Sequence, residues 1–251
     1  MTKSEAIGDF HRTLVVIPAW NEAPSIGVVI REVQKNGFQV LVVDDGSLDG
    51  TAAEATAHGA LVVSLPFNLG VGAALRCGFR FAVQTGYDIV VQCDADGQHP
   101  TDHIEHLINE IASSKAHMVI GSRFAHKGPT VMRVSFMRRI AMRMLSLSAS
   151  RATGTRITDS TSGFRAIRQP LLGELAQKIS PYYLGDTYEA VVSAGRAGYL
   201  VREIYAPIWE RMHGESSARP LTAARKTLKV FLSVILNVTP PIQGPEASSR
   251  R

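Results

Sequence analysis

"IVVQCDADGQHP", Ile89 to Pro100, runs an apolar strand-like segment straight into two carboxylates, an amide and an imidazole. An acidic cluster at the end of a buried strand is unfavourable unless a positive group sits there, because unpaired buried charge is heavily penalised. The same pattern repeats on either side of it. Apolar runs lie at 13–19 (TLVVIPA), 40–45 (VLVVDD), 60–65 (ALVVSL), 88–96 (DIVVQCDAD) and 117–123 (HMVIGSR). Between them come helix-like segments at 23–36, 49–58, 70–86 and 101–114. Near-continuous Val/Ile/Leu strands alternating with helices predict an α/β fold whose mainly parallel sheet is covered on both faces. In the last of these helices Ile104, Leu107, Ile108 and Ile111 fall on one face at helical spacing and read as core.

Open parallel sheets collect ligands outside the carboxyl ends of their strands. Here those ends are "PAWNE" (18–22), "DDGSLDGT" (44–51), "PFNLGVG" (66–72), "DADGQHP" (94–100) and "GSRF" (121–124), so five polar strand ends share one rim. "DDGSLDGT" reads as a turn, and its paired carboxylates also suit hydrogen bonds to a nucleobase N–H or a ribose hydroxyl. "NLGVGAAL" contains G-x-G-x-x-L but follows the third strand, and the first turn has no glycine, which argues against a dinucleotide fingerprint. Oxygen ligands alone, Asp94, Asp96 and the Gln98 amide, fit a hard cation such as Mg²⁺ or Mn²⁺ better than zinc. Mg²⁺ keeps waters and bridges to substrate phosphates, so a diphosphate is expected behind the ion. His99 has no second His or Cys at zinc spacing and reads as a structural hydrogen bonder.

Charge is unevenly spread. Residues 123–168 hold ten Lys or Arg against one acid, Asp159, a balance of +9, so the rest of a chain of net +5 carries −4. Such a block suits phosphates on nucleic acid, on a substrate or on a membrane. Little aromatic interleaving argues against nucleic acid. Arg133, Arg138, Arg139 and Arg143, interleaved with Met, Phe, Ile and Leu over 130–150, resemble an interfacial helix with a basic face, or a helix that simply packs on the domain. The two cysteines, Cys77 and Cys93, stand apart, and the start of the chain has no apolar leader, so a cytoplasmic protein, free or at the inner face of the membrane, is expected. No run reaches the roughly 18 apolar residues of a spanning helix. The rest reads as a turn-rich loop at 153–168 and a mixed stretch at 171–217.

"PAWNE", "VVDDGSLDGT", "NLGVGAA", "DADGQHP", "GSRF", "SGFRAI" and "REIYAPIWERMHGESS" stand in the order found in family 2 glycosyltransferases. Over about 13–217 the chain resembles their polyprenyl-phosphate (dolichol-phosphate) mannosyltransferase-like branch. The resemblance implies a GT-A fold, Rossmann-like, and inverting transfer of a hexose from a GDP- or UDP-sugar. It implies that Pro18, Trp20, Glu22, Asp44 and Asp45 hold the nucleoside, and that Asp94, Ala95, Asp96 and Gln98 hold metal and diphosphate. Arg123 and Arg211 would neutralise phosphate, with Arg165 joining them toward an acceptor phosphate.

A polyprenyl phosphate acceptor is already anionic and needs no strong base. A soluble hydroxyl acceptor needs one, and Asp186 and Glu189 in "GDTYEA" are the candidates. Ser217 stands where the best-known lipid-phosphate enzymes carry lysine, and both acceptors stay open. The chain divides into an extension at 1–12, a donor half at about 13–123 and an acceptor half at about 124–217. A C-terminal amphipathic helix at 218–239, able to meet a membrane or pair two protomers, precedes a disordered tail at 240–251.

Overall fold

A computed structural model describes residues 12–125, 136–179, 185–207, 209 and 241–245, with backbone alone at 136–141 and 185–186. Seven strands form one sheet: β1 (Thr13–Ala19), β2 (Gln39–Asp44), β3 (Leu61–Ser64), β4 (Ile89–Gln92), β5 (Met118–Ser122), β6 (Arg165–Arg168) and β7 (Val201–Tyr205). Their order is β3-β2-β1-β4-β6-β5-β7. All neighbours are parallel except β6, which runs antiparallel to both β4 and β5. The fold is the expected α/β arrangement, mainly parallel.

Alternation along each strand sends successive side chains to opposite faces. Leu14 and Val16 of β1 join one core with Leu41, Val43, Val90, Met118 and Ile120. That face is covered by α3 (Val71–Gln84), α5 (Phe136–Thr153), α6 (Leu171–Lys178) and α7 (Ala190–Arg196). Val15 and Ile17 join the other core, with Val40, Val42, Val91 and Val119. It is closed by α1 (Ala23–Lys35), α2 (Thr51–Ala57) and α4 (Ile104–Ser114), the last burying Ile104, Leu107, Ile108 and Ile111 as its periodicity predicts.

Three segments differ from the sequence reading. The strand expected to run to Asp96 ends at Gln92, because the chain turns at Cys93 to present its acids. The loop expected over 153–168 closes with β6; "RAIR" has an arginine at each end and shows no apolar alternation, yet Arg165 is wholly buried. The tail expected to be disordered from 240 is docked over 241–245. Ile242 packs on the first core, and the Gln243 N–H donates to Glu174 Oε2 of α6 at 2.8 Å. The segment at 218–239 lies outside the described residues.

Candidate active site

β4 ends between β1 and β6, and the loop that follows carries the acidic cluster. The Asp94 N–H donates to His99 Nδ1 at 2.9 Å, which makes Nδ1 the acceptor and leaves the proton on Nε2. That Nε2 lies 3.5 Å from Asp94 Oδ2, so one imidazole holds both the backbone and the carboxylate of Asp94. His99 is itself buried against the Phe164 ring, whose centroid is 5.2 Å away. Gly163 completes the corner: a Cβ there would sit 3.2 Å from Asp94 Oδ1. The Asp94 side chain remains 39% exposed, whereas Asp96 is 4% exposed and accepts the Gln98 N–H on Oδ1 at 3.0 Å.

This donor set suits a hard cation. The neighbouring Cys93 thiol is pushed well above its usual range by burial, then by the charges of Asp94 and Asp96, so it offers no thiolate. Among the described residues no three His, Cys, Asp or Glu side chains gather as a closed metal cage. Two carboxylates, with no third carboxylate, imidazole or thiol beside them among the described residues, match an ion that completes its shell with waters and phosphate oxygens. Gln98, expected as a metal-ligating amide, is engaged through its nitrogen, which leaves untested the ligation expected of its Oε1. Its Nε2 donates to the Trp209 carbonyl at 3.2 Å, and the Trp209 N–H returns to the Gln98 carbonyl at 2.9 Å. Gln98 thus holds Trp209 on both backbone groups; Arg211 lies outside the described residues.

On the donor side the loops after β1 and β2 are laced together. The Asn21 N–H donates to Ser47 Oγ and the Leu48 N–H to Asn21 Oδ1, both at 2.9 Å. The Glu22 N–H donates to Thr51 Oγ1, and Glu22 Oε2 accepts the Ser25 hydroxyl. Asp45 receives the N–H groups of Leu69 and Gly70, one on each oxygen, at 2.8 Å. Asp44 takes the Ser47 N–H at 3.1 Å. Both acids are buried, and burial first, then the nearby Asp44 charge, lifts the Asp45 carboxyl above its usual value against the pull of those two amides. Gly46 is obligatory, because it sits at φ 70° and a Cβ would meet the Phe67 backbone at 2.5 Å. Pro18 is tolerated inside β1 because its nitrogen faces the β4 side above Gln92, where pairing has ended. Trp20 is exposed at the rim.

On the acceptor side Arg123 donates from Nε to Asp159 Oδ2 at 3.0 Å and lies over the Phe124 ring. The one acid of the basic block is thus the partner of its first arginine. Arg165 differs from the expectation of a phosphate ligand. Its guanidinium is buried and donates to the Ser162 carbonyl from Nε and Nη2, and to the Thr187 carbonyl from Nη1 at 3.2 Å. A buried, engaged guanidinium braces the loop and the π-helical turn Gly185–Glu189. Glu189 is half-buried in that turn, and the Asp186 side chain lies outside the described residues.

Sequence reasoning gave no role to Glu203, Gly163 and Trp209, and marked Asp159 only as the one acid of the basic block. Their partners lie far off in the chain, in the loops after β4, β5 and α5.

Residues 14–176 match the model of the family described as "Glycosyl transferase family 2". The chain is 33% identical to polyprenol monophosphomannose synthase of Mycolicibacterium smegmatis over 66% of its own length and 64% of that protein. It is 31% identical to undecaprenyl-phosphate mannosyltransferase of Micrococcus luteus over 82% of its length and 86% of the relative. Among solved structures it is similar to glucosyl-3-phosphoglycerate synthase from Mycobacterium tuberculosis in complex with Mn²⁺, UDP-glucose and phosphoglyceric acid. That likeness has a TM-score of 0.67 at 21% identity and covers 96% of this chain and 91% of that one.

Proposed function

This chain belongs to glycosyl transferase family 2, and from that premise we propose that it moves a hexose from a nucleotide diphosphate sugar to a polyprenyl phosphate, with inversion at the anomeric carbon. The relatives named for transfer to polyprenol and undecaprenyl phosphate support the acceptor class. The observation that carries the reading is the half-open Asp94 carboxylate, oriented by His99 beside buried Asp96 at the end of β4.

Asp94 and Asp96 would hold Mg²⁺ or Mn²⁺, which when bound neutralises charge on the departing diphosphate. The loops after β1 and β2, laced by Asn21, Ser47 and Thr51, form a rigid wall for the nucleoside, with Trp20 as its apolar surface. An oxygen of the acceptor phosphate attacks the anomeric carbon while the sugar–diphosphate bond breaks, its electron pair leaving with the nucleotide. The attacking phosphate is anionic at neutral pH, so these residues have no proton to remove. Arg123 and Arg211 stabilise the phosphates, since a guanidinium fork matches their oxygens.

A hydroxyl acceptor is the second reading. Arg165 moors the Gly185–Glu189 turn beside the rim, and that turn bears the two candidate bases, Asp186 and Glu189.

Contact with an anionic membrane goes with the lipid acceptor. Exposed Met144 and Leu147 on α5 are flanked by exposed Arg143 and Arg151, and cations near such a leaflet contribute about 1 kcal/mol each. Among the described residues no helix is long and apolar enough to cross a membrane. The test is a thermal-shift screen of UDP- and GDP-hexoses with and without Mn²⁺, followed by nucleotide release with and without polyprenyl phosphate. A manganese-dependent rise in melting temperature with one donor, and release that requires the lipid phosphate, are expected. No manganese-dependent shift with any donor overturns the reading.

A further inference from the structure

Beyond the rim residues, one carboxylate collects an unusual share of donors. Glu203 on β7 receives the Thr158 N–H on Oε1 at 2.9 Å and on Oε2 at 2.8 Å, and the Thr158 hydroxyl at 2.8 Å. The Asp159 N–H adds a fourth bond to Oε1 at 2.7 Å. A carboxylate that gathers the amides of two successive residues fixes the direction in which the second side chain points. Here that is Asp159, buried, which accepts the Thr161 hydroxyl on Oδ1 and Arg123 Nε on Oδ2, each at 3.0 Å. Around the same hinge, Thr158 Oγ1 meets Ser122 Oγ at 3.0 Å, and Ser122 Oγ caps the Phe124 N–H at 3.1 Å. Both flanks of Arg123 are therefore tied to Thr158.

We propose that Glu203 is a positioning residue for Arg123, acting through the Thr158–Asp159 backbone and the Asp159 carboxylate. The inference rests on Arg123 as a phosphate-facing group for its effect on turnover, but not for its geometry. Electrostatics favour the arrangement: Asp159 and Arg123 form a charge-assisted pair, and Glu203 meets backbone amides rather than a second cation. Without the Glu203 carboxylate, two amides lose their acceptor and the Asp159 side chain loses its fixed origin. Glutamine is only a partial replacement, because one oxygen can still take both N–H groups, whereas methionine, of similar length, offers them no acceptor.

The Arg123 Nε–H resonance, assigned by its loss in Arg123→Lys, reads the geometry directly. It should exchange slowly with water in the wild-type chain and at least tenfold faster in Glu203→Met. A folded Glu203→Met protein with unchanged exchange overturns the proposal. Should that variant fail to fold, Glu203→Asp, which withdraws the carboxylate by one methylene, is judged by the same criterion.

Turnover supplies the second arm. Glu203→Met should lower kcat/KM for the donor about tenfold, as expected when a positioned group is displaced, but less than about twofold in an Arg123→Ala background. Equal losses in both backgrounds would mean that Glu203 acts by another route. A wild-type chain without turnover on any donor contradicts the functional reading alone, because the exchange measurement still decides the positioning.

Discussion

Two pairs of carboxylates stand at the ends of neighbouring parts of the sheet, one after β2 and one after β4, with β1 between them. They look alike in sequence, "DDG" and "DADG", and differ in how their oxygens are used. Each oxygen of Asp45 accepts one amide, from Leu69 and Gly70, and Asp44 accepts the Ser47 N–H. Those bonds brace the loop before α3. Asp94 is instead held from behind by His99 and left 39% exposed. An acid that takes a backbone amide on each oxygen braces its loop; an acid aimed by a neighbour and kept open can meet a ligand. The distinction lies in the partners, because residue type and strand-end position are shared.

The largest effects should come from the same substitution in each pair. Asp96→Asn keeps an oxygen for the Gln98 N–H, so the melting temperature should change little. Sugar-transfer activity should fall by about 10²–10³ or more, the scale for losing a group that stabilises transition-state charge. Asp45→Asn should show the reverse. Its NH₂ would confront one of the two amides, at about 1–3 kcal/mol for a buried donor left unsatisfied. Denaturant melts should register that loss, while transfer by the folded fraction is far less affected than in Asp96→Asn. If Asp45→Asn is as inactive as Asp96→Asn at full stability, the two pairs do not divide as loop brace and site.

A smaller effect sharpens the open pair. His99→Ala removes the acceptor of the Asp94 N–H and the neighbour of its carboxylate without touching either acid. Losing an orienting partner of this kind weakens metal affinity about 10–100-fold. Manganese titration of the nucleotide-dependent thermal shift should move by that factor. A midpoint unchanged in a folded variant would show that Asp94 needs no orientation by His99.

The alternation of apolar strands and helices was enough to anticipate both faces of the sheet and the rim where polar ends collect, because burial period is a local property of sequence. β6 was not legible: four residues with arginine at both ends carry no strand signal, and their burial depends on β4 and β5 on either side. The placements of Gln98 and Arg165 were equally hidden. Each residue is polar and lies in the right region, but Trp209 and Thr187, which claim their donors, are 111 and 22 residues away. His99 could be read as a hydrogen bonder because the absence of zinc-spaced partners is visible in one dimension. Its bond to Asp94 also spans only five residues.

The smallest effect is a difference in the sign of pH dependence between two donor-side acids. The Asp45 carboxyl is raised from its ordinary 3.8 by burial. The native state therefore holds this proton more tightly than the unfolded chain, and the associated stability is present below pH 3.8 and fades as pH rises through the folded value. Asp49 goes the other way. Burial alone would raise it, but the Thr51 hydroxyl, the Thr51 amide and the Ala23 amide outweigh burial and lower it below 3.8. Its contribution is present above pH 3.8 and disappears as pH falls through the folded value. Denaturant melts between pH 3 and pH 7 should thus show the penalty of Asp45→Asn shrinking with rising pH and that of Asp49→Asn growing. Parallel slopes would mean that burial does not dominate at Asp45, and that its two amides stabilise the charge as they do at an open, hydrogen-bonded acid.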